Sequence, residues 1–116
     1  EGHFDGLTLN DALSLINLDA ESPQSERVPL SFLGHGLAFD PRDPLRVAVF
    51  EKKGPGACVV DLRKRQVLTA IATKKTRSFY GHGAFSADGS LLYATESIVD
   101  RGREGVLVVR DARTLR

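Results

Sequence analysis

Apolar residues along this chain come in short runs rich in Val, Ile, Leu, Phe and Tyr, and nearly every run is bounded by Gly, Pro, Asp or a knot of charges. That punctuation is the mark of strands joined by tight turns, because a helix would place its apolar positions three and four apart over a longer stretch. The pattern predicts strands at 13–18, 28–33, 36–40, 46–52, 57–62, 66–73, 83–86, 91–97 and 105–111, and almost no helix. One stretch is contested: in "NDALSLINLDAES", Leu9, Leu13 and Ile16 fall at helical spacing behind an Asn10 or Asp11 cap. Its grammar favours strand. "LSLINLDAESPQSERVPL", "CVVDLRKRQVLTAI" and "VLVVRDARTL" share one order: an apolar run, an aspartate (Asp19, Asp61, Asp111), a polar turn and a further apolar stretch. All three read as hairpins in which the aspartate caps the turn by accepting nearby backbone N–H groups.

The chain also repeats itself. "LGHGLAFDPRDPLRVAVFE" at 33–51 returns as "RSFYGHGAFSADGSLLYATE" at 77–96, with His35 and His82 47 residues apart, Glu51 and Glu96 45, and Asp61 and Asp111 50. A period of about 40–50 residues holding four short strands is the signature of β-propeller blades. The expected fold is therefore all-β, built from four-stranded antiparallel blades: "GHGLAFD" innermost, then "RVAVFEK", "ACVVDLR" and the outer "QVLTAIAT". On this reading 1–33 is the end of one blade, 34–80 a full blade and 81–116 most of the next, all within one propeller. A blade buries its faces only against its neighbours, and closed rings need at least about four of them. The chain is thus expected to expose apolar faces at its ends and to be completed by further blades or by another chain.

Composition narrows the function classes. Apolar residues make up 41% and charged residues 27% of 116, an ordinary globular balance, and the net charge of +1 supplies no field to draw nucleic acid or an anionic membrane. Apolar runs are strand-sized, far short of the roughly 20 residues of a membrane-spanning helix. The basic clusters "RKR" and "KKTR" sit at expected turns, where cations keep edges soluble, so nucleic acid is not expected as a partner. Cys58 is the single cysteine and lies among apolar neighbours, which reads as an inert buried thiol. Nucleophile-elbow, Walker-loop and zinc-protease signatures have no counterpart here.

The candidate chemistry lies in the repeated Gly-His-Gly. Two readings stand side by side. In one, each His hydrogen-bonds across its blade and locks it, as residues repeated in every unit usually serve the unit. In the other, His35 and His82 border the central channel, and with Glu51 and Glu96 offer nitrogen and oxygen donors to a bound metal ion. Glu96 is the strongest functional candidate of the four, since an acidic residue ending an apolar strand needs a partner that the strand does not provide. No catalytic residue is assigned and no cofactor is established. Three functions follow: a non-catalytic propeller binding a partner protein or a metal, a propeller enzyme (hydrolase or oxidoreductase) with a channel metal, and a plain WD-repeat-like interaction scaffold.

"GHGLAFDP", "VAVFEKKGPGACVVDLRKRQVL", "RSFYGHGAFSADGSLLYATE" and "GREGVLVVRDA" together resemble the bacterial family DUF1513, from about Val28 onward. The resemblance implies a seven-bladed propeller for the complete protein, export to the periplasm, and a setting beside periplasmic iron-handling proteins, hence a role in iron uptake. Two loops depart from the family pattern: Arg-Arg-Pro-Gly after the second strand is "EKKGPG" here, and Asn-Asp-Tyr after Thr-Glu is "SIVD". Both are loops that would face a ligand.

Overall fold

The computed structural model describes residues 2–5, 8–102 and 104–116. Its strands are β1 (Gly2–Asp5), β2 (Thr8–Ile16), β3 (Ser25–Pro29), β4 (Gly34–Asp40), β5 (Asp43–Gly54), β6 (Ala57–Asp61), β7 (Gln66–Ala70), β8 (Arg77–Phe85), β9 (Leu91–Ile98) and β10 (Glu104–Asp111). Among the described residues the only helical turn is a 3-10 turn at Val99–Arg101, so the all-β expectation holds.

Every pairing is antiparallel. β1, β2 and β3 form one sheet, while the larger sheet runs β10-β9-β8-β5-β6-β7 with β4 also paired to β5. In chain order that larger sheet is two meanders, β4 to β7 and β8 to β10. A short ladder joins them where β5 runs past the start of β4: Lys52 pairs with Tyr80 and Gly54 with Phe79.

The core lies in two layers, one on each side of the first meander. Alternation along β5 and β6 sends Ala48, Phe50, Ala57 and Val59 toward the second meander, where Phe79, Leu92 and Ala94 meet them. Val47, Val49, Cys58 and Val60 face the other way, onto Val28 and Phe32. Both faces of β6 are buried, which is why "ACVVD" shows no polar alternation. Phe50 and Phe79 are fully buried with ring centroids 5.9 Å apart. Each contributes roughly 1.5–3 kcal/mol by burial.

The contested "NDALSLIN" stretch is strand, paired through Ala12–Ile16 with β3. Several boundaries differ from expectation. β3 occupies Ser25–Pro29 rather than 28–33, because the chain turns after Pro29: Leu30 N donates to Asp11 O at 2.9 Å and Phe32 folds into the core. β8 starts at Arg77 rather than Gly83, since a bulge carries the strand through its glycines and lets Arg77–Phe79 pair with Glu96–Ile98. β7 stops at Ala70, although Ile71 N still donates to Ala57 O and its side chain stays in the core. β1 had no signal in the apolar pattern; it forms by pairing with Thr8–Asp11 of β2.

The turn aspartates divide. Asp61 Oδ1 accepts from Arg63 N and Lys64 N at 2.8 and 3.2 Å, and Asp111 Oδ1 from Arg113 N and Thr114 N at 2.9 and 2.8 Å, the same cap in both meanders. Asp19 does not follow them. There Asn17 Oδ1 accepts from Asp19 N at 3.0 Å, so the side-chain bond closing that turn comes from the residue two earlier.

Candidate functional site

The two Gly-His-Gly elements lie on the first strands of the two meanders, and those strands touch. A Cβ on Gly36 would collide with the carbonyl oxygen of Gly81, and Gly81 itself has φ +93°, a conformation that side chains other than glycine rarely adopt. Both strands are also bulged at this place, with register breaks between Gly34 and Gly36 and between Phe79 and Gly83. A bulge re-aims the side chain it carries. Here the outcome is that the rings of His35 and His82 meet edge to face, with centroids 5.2 Å apart. Both residues are exposed. The Thr95 hydroxyl donates to His82 O at 3.1 Å and fixes the backbone beneath one ring.

The glutamates are elsewhere. Glu51, at the end of the β4-paired part of β5, turns back into the "KKGPG" loop. Its Oε2 accepts from Gly56 N at 2.7 Å, and its own N donates to Gly56 O at 2.8 Å. Gly54 and Gly56 leave room for that carboxylate, since a Cβ on either would press on it. Glu51 also borders a cleft of about 420 Å³ with Leu30, Phe32, Cys58 and Ile71. Cys58 is buried there, and burial pushes its thiol up to about 11, so it is protonated at neutral pH and a poor nucleophile.

Glu96 is 1% exposed. Its Oε1 accepts from Arg110 Nη2, its Oε2 accepts from the Thr73 hydroxyl at 2.7 Å, and Arg77 Nη1 lies 3.9 Å away. The partner that Glu96 requires is therefore Arg110, which the sequence reading missed. The signal was present in "GVLVVRD": Val106, Val108 and Arg110 share one face, and that face packs on the core side of β9. A charged residue at an inward position asks for an opposite charge on the neighbouring strand.

Of the four donors His35, His82, Glu51 and Glu96, the fold brings the histidines together and commits each glutamate to a different local network. Among the described residues no group of three or more His, Cys, Asp or Glu converges as a metal centre would require. No helix among them is long and apolar enough to cross a membrane.

The departures from the family pattern are structured. The "KKGPG" turn has Lys53 at φ 67° and is held by Glu51, while the "SIVD" stretch leads from β9 into the 3-10 turn. Comparison with curated proteins finds no match. The family model described as "Protein of unknown function (DUF1513)" matches residues 28–116, which spans both Gly-His-Gly elements, both capped aspartate turns and both glutamates, and so the chain belongs to the DUF1513 family.

Proposed function

We propose that this chain is a run of β-propeller blades acting as a non-catalytic binding scaffold, with the His35–His82 pair as its contact with ligand. The observation that carries the proposal is the pair itself: two exposed imidazoles at 5.2 Å, presented by adjacent bulged strands. Exposure speaks against a buried blade lock, whose nitrogens would need partners inside the protein. Two imidazoles on one surface supply nitrogen donors suited to a first-row transition metal, leaving the remaining positions to a partner protein or to further blades.

The ring is completed by more meanders of the same plan or by another chain. Support comes from the outer face of the second meander, where Leu107 and Val109 are 65% and 51% exposed. At the matching positions of the first meander, Ala57 and Val59 are covered at 3% and 0%. Membership of DUF1513 supplies the rest of the proposal: a periplasmic protein working beside iron-handling proteins in metal uptake.

The test is an NMR titration that follows the ring Cε1–H signals of both histidines as Zn²⁺, Ni²⁺ or Fe²⁺ is added. A shared site predicts that the two signals move or broaden together and saturate at one ion per chain. Independent titration of the two rings, or none, would refute a shared site.

A further inference from the structure

A second group of side chains, remote from the histidines in role, has no part in the reading above. Arg110 on β10 is 6% exposed. Its Nη2 is fully engaged, donating to Ala72 O at 2.9 Å and to Glu96 Oε1. Its Nη1 is buried and has no hydrogen-bond partner. Buried donors are nearly always paired, and a charged one left without an acceptor is a position where an ion or other acceptor belongs.

The space beside it has the matching chemistry. Arg110 helps to line a cleft of about 310 Å³ with Lys74, Arg77 and Arg116, and the one acidic residue lining that cleft is Glu96. That carboxylate is already committed, one oxygen to Arg110 and the other to the Thr73 hydroxyl. Arg77 stands 3.9 Å from it, beyond hydrogen-bonding distance, and keeps its donors. Four cationic side chains thus face one neutralised carboxylate. The backbone that carries Lys74 and Arg77 is fixed: the "KKTR" segment closes as a turn through Arg77 N to Lys74 O at 2.9 Å, and Thr76 O accepts from Val99 N at 2.9 Å.

We infer that this cleft binds a small phosphate-type oxyanion, free or as the phosphate group of a small molecule, with Arg110 Nη1 donating to one oxygen and Lys74 and Arg77 to the others. A guanidinium and an oxyanion form strong charge-assisted bonds, and a tetrahedral dianion has enough oxygens to meet donors from both walls of the cleft. It also balances the surplus positive charge better than a single carboxylate would.

The experiment is calorimetric titration of the intact protein with inorganic phosphate, glycerol phosphate and acetate at matched ionic strength. Lys74→Gln and Arg77→Gln serve as the diagnostic variants, because both residues lie at the surface of the cleft and their loss leaves the Glu96–Arg110 pair in place. Saturable phosphate binding, weakened at least about tenfold by either variant, is expected. Equal affinity for glycerol phosphate identifies a site that reads the phosphate group, whereas binding of inorganic phosphate alone identifies one closed around the free ion; both outcomes support the inference. Absence of saturable binding, equal binding of acetate, or binding that neither variant weakens would overturn it.

Discussion

The two meanders follow one plan and use it differently, most plainly at their glutamates. Glu51 and Glu96 lie near the ends of equivalent strands, and the adjoining strands are matched by Asp61 and Asp111, which cap their turns with the same pair of bonds. One residue before each cap, the first meander has Val60 and the second has Arg110. Glu51, with Val60 further along the neighbouring strand, is half-buried and ties down the loop that follows it through Gly56 N. Glu96, with Arg110 on the same face of the neighbouring strand, is buried and ion-paired. The equivalent glutamate is thus a loop tie in the first meander and half of a buried ion pair in the second. The faces differ too: β6 and the centre of β5 are buried on both sides, whereas β9 is only half-buried on its second side and β10 is exposed there.

The widest contrast between the meanders is at Val59 and Val109. Val59→Asp would bury a carboxylate with no partner and is expected to cost more than about 4 kcal/mol, enough to unfold the chain. Val109→Asp, at the matching but exposed position, should leave stability within about 0.5 kcal/mol and reduce self-association seen by sedimentation. Equal destabilisation by the two would mean that the outer face is already covered in solution.

The glutamates give the next largest effect. Glu96→Ala leaves the Arg110 charge buried and unpaired, at a cost of about 3–5 kcal/mol, and replacing Arg110 by Leu in the same chain should restore much of that loss. Glu51→Ala removes one hydrogen bond from a half-buried site, about 1 kcal/mol. Urea melts of the three variants check the order, and a Glu51→Ala cost as large as that of Glu96→Ala would erase the distinction.

Smaller still is the response to acid, where both meanders keep a depressed carboxylate in the turn after their first strand. At Asp40, burial alone would raise the carboxyl, but the Arg42 N–H and the Arg46 guanidinium outweigh it and hold it below the usual 3.8. The matching position is Ser86, whose hydroxyl donates to Asp88; with the N–H and hydroxyl of Ser90, that bond holds Asp88 at about 2. Both folded values lie below the unfolded one, so each contribution is complete above the unfolded value and fades as the pH falls through the folded one. For Asp88 the window runs from 3.8 down to about 2. Thermal melts from neutral pH down through that range should show both Asp88→Asn and Asp40→Asn lowering stability at neutral pH and flattening the acid limb. Acid limbs identical to the parent chain in both variants would contradict this assignment.

The strands from β2 to β10 and their order within each meander were legible because each run is short, apolar and bounded by turn residues, and the repeat fixed which turn belonged with which. What escaped was set by pairing rather than by local pattern. Glu96 was correctly read as needing a partner, but Arg110 lies 14 residues away, and only the β9–β10 register puts both on one face. The bulges at the Gly-His-Gly elements were invisible for a like reason, since glycines in a strand read as breaks until a neighbouring strand shows that the ladder continues past them. Asp19 looked like Asp61 and Asp111 in sequence. With Asn17 two residues before it, a competing acceptor was already available, and the turn used that one instead.

The central claim is that the repeat assigns its glutamates to the scaffold and its histidines to a ligand. The direct measurement is a paired one on the double variant His35→Ala, His82→Ala: transition-metal titration together with a urea melt. The account predicts that binding falls at least about tenfold while stability stays within about 0.5 kcal/mol, because both rings are exposed. Unchanged metal binding, or a loss of about 1–3 kcal/mol of stability with no effect on binding, would show instead that the pair only fastens one strand to the next.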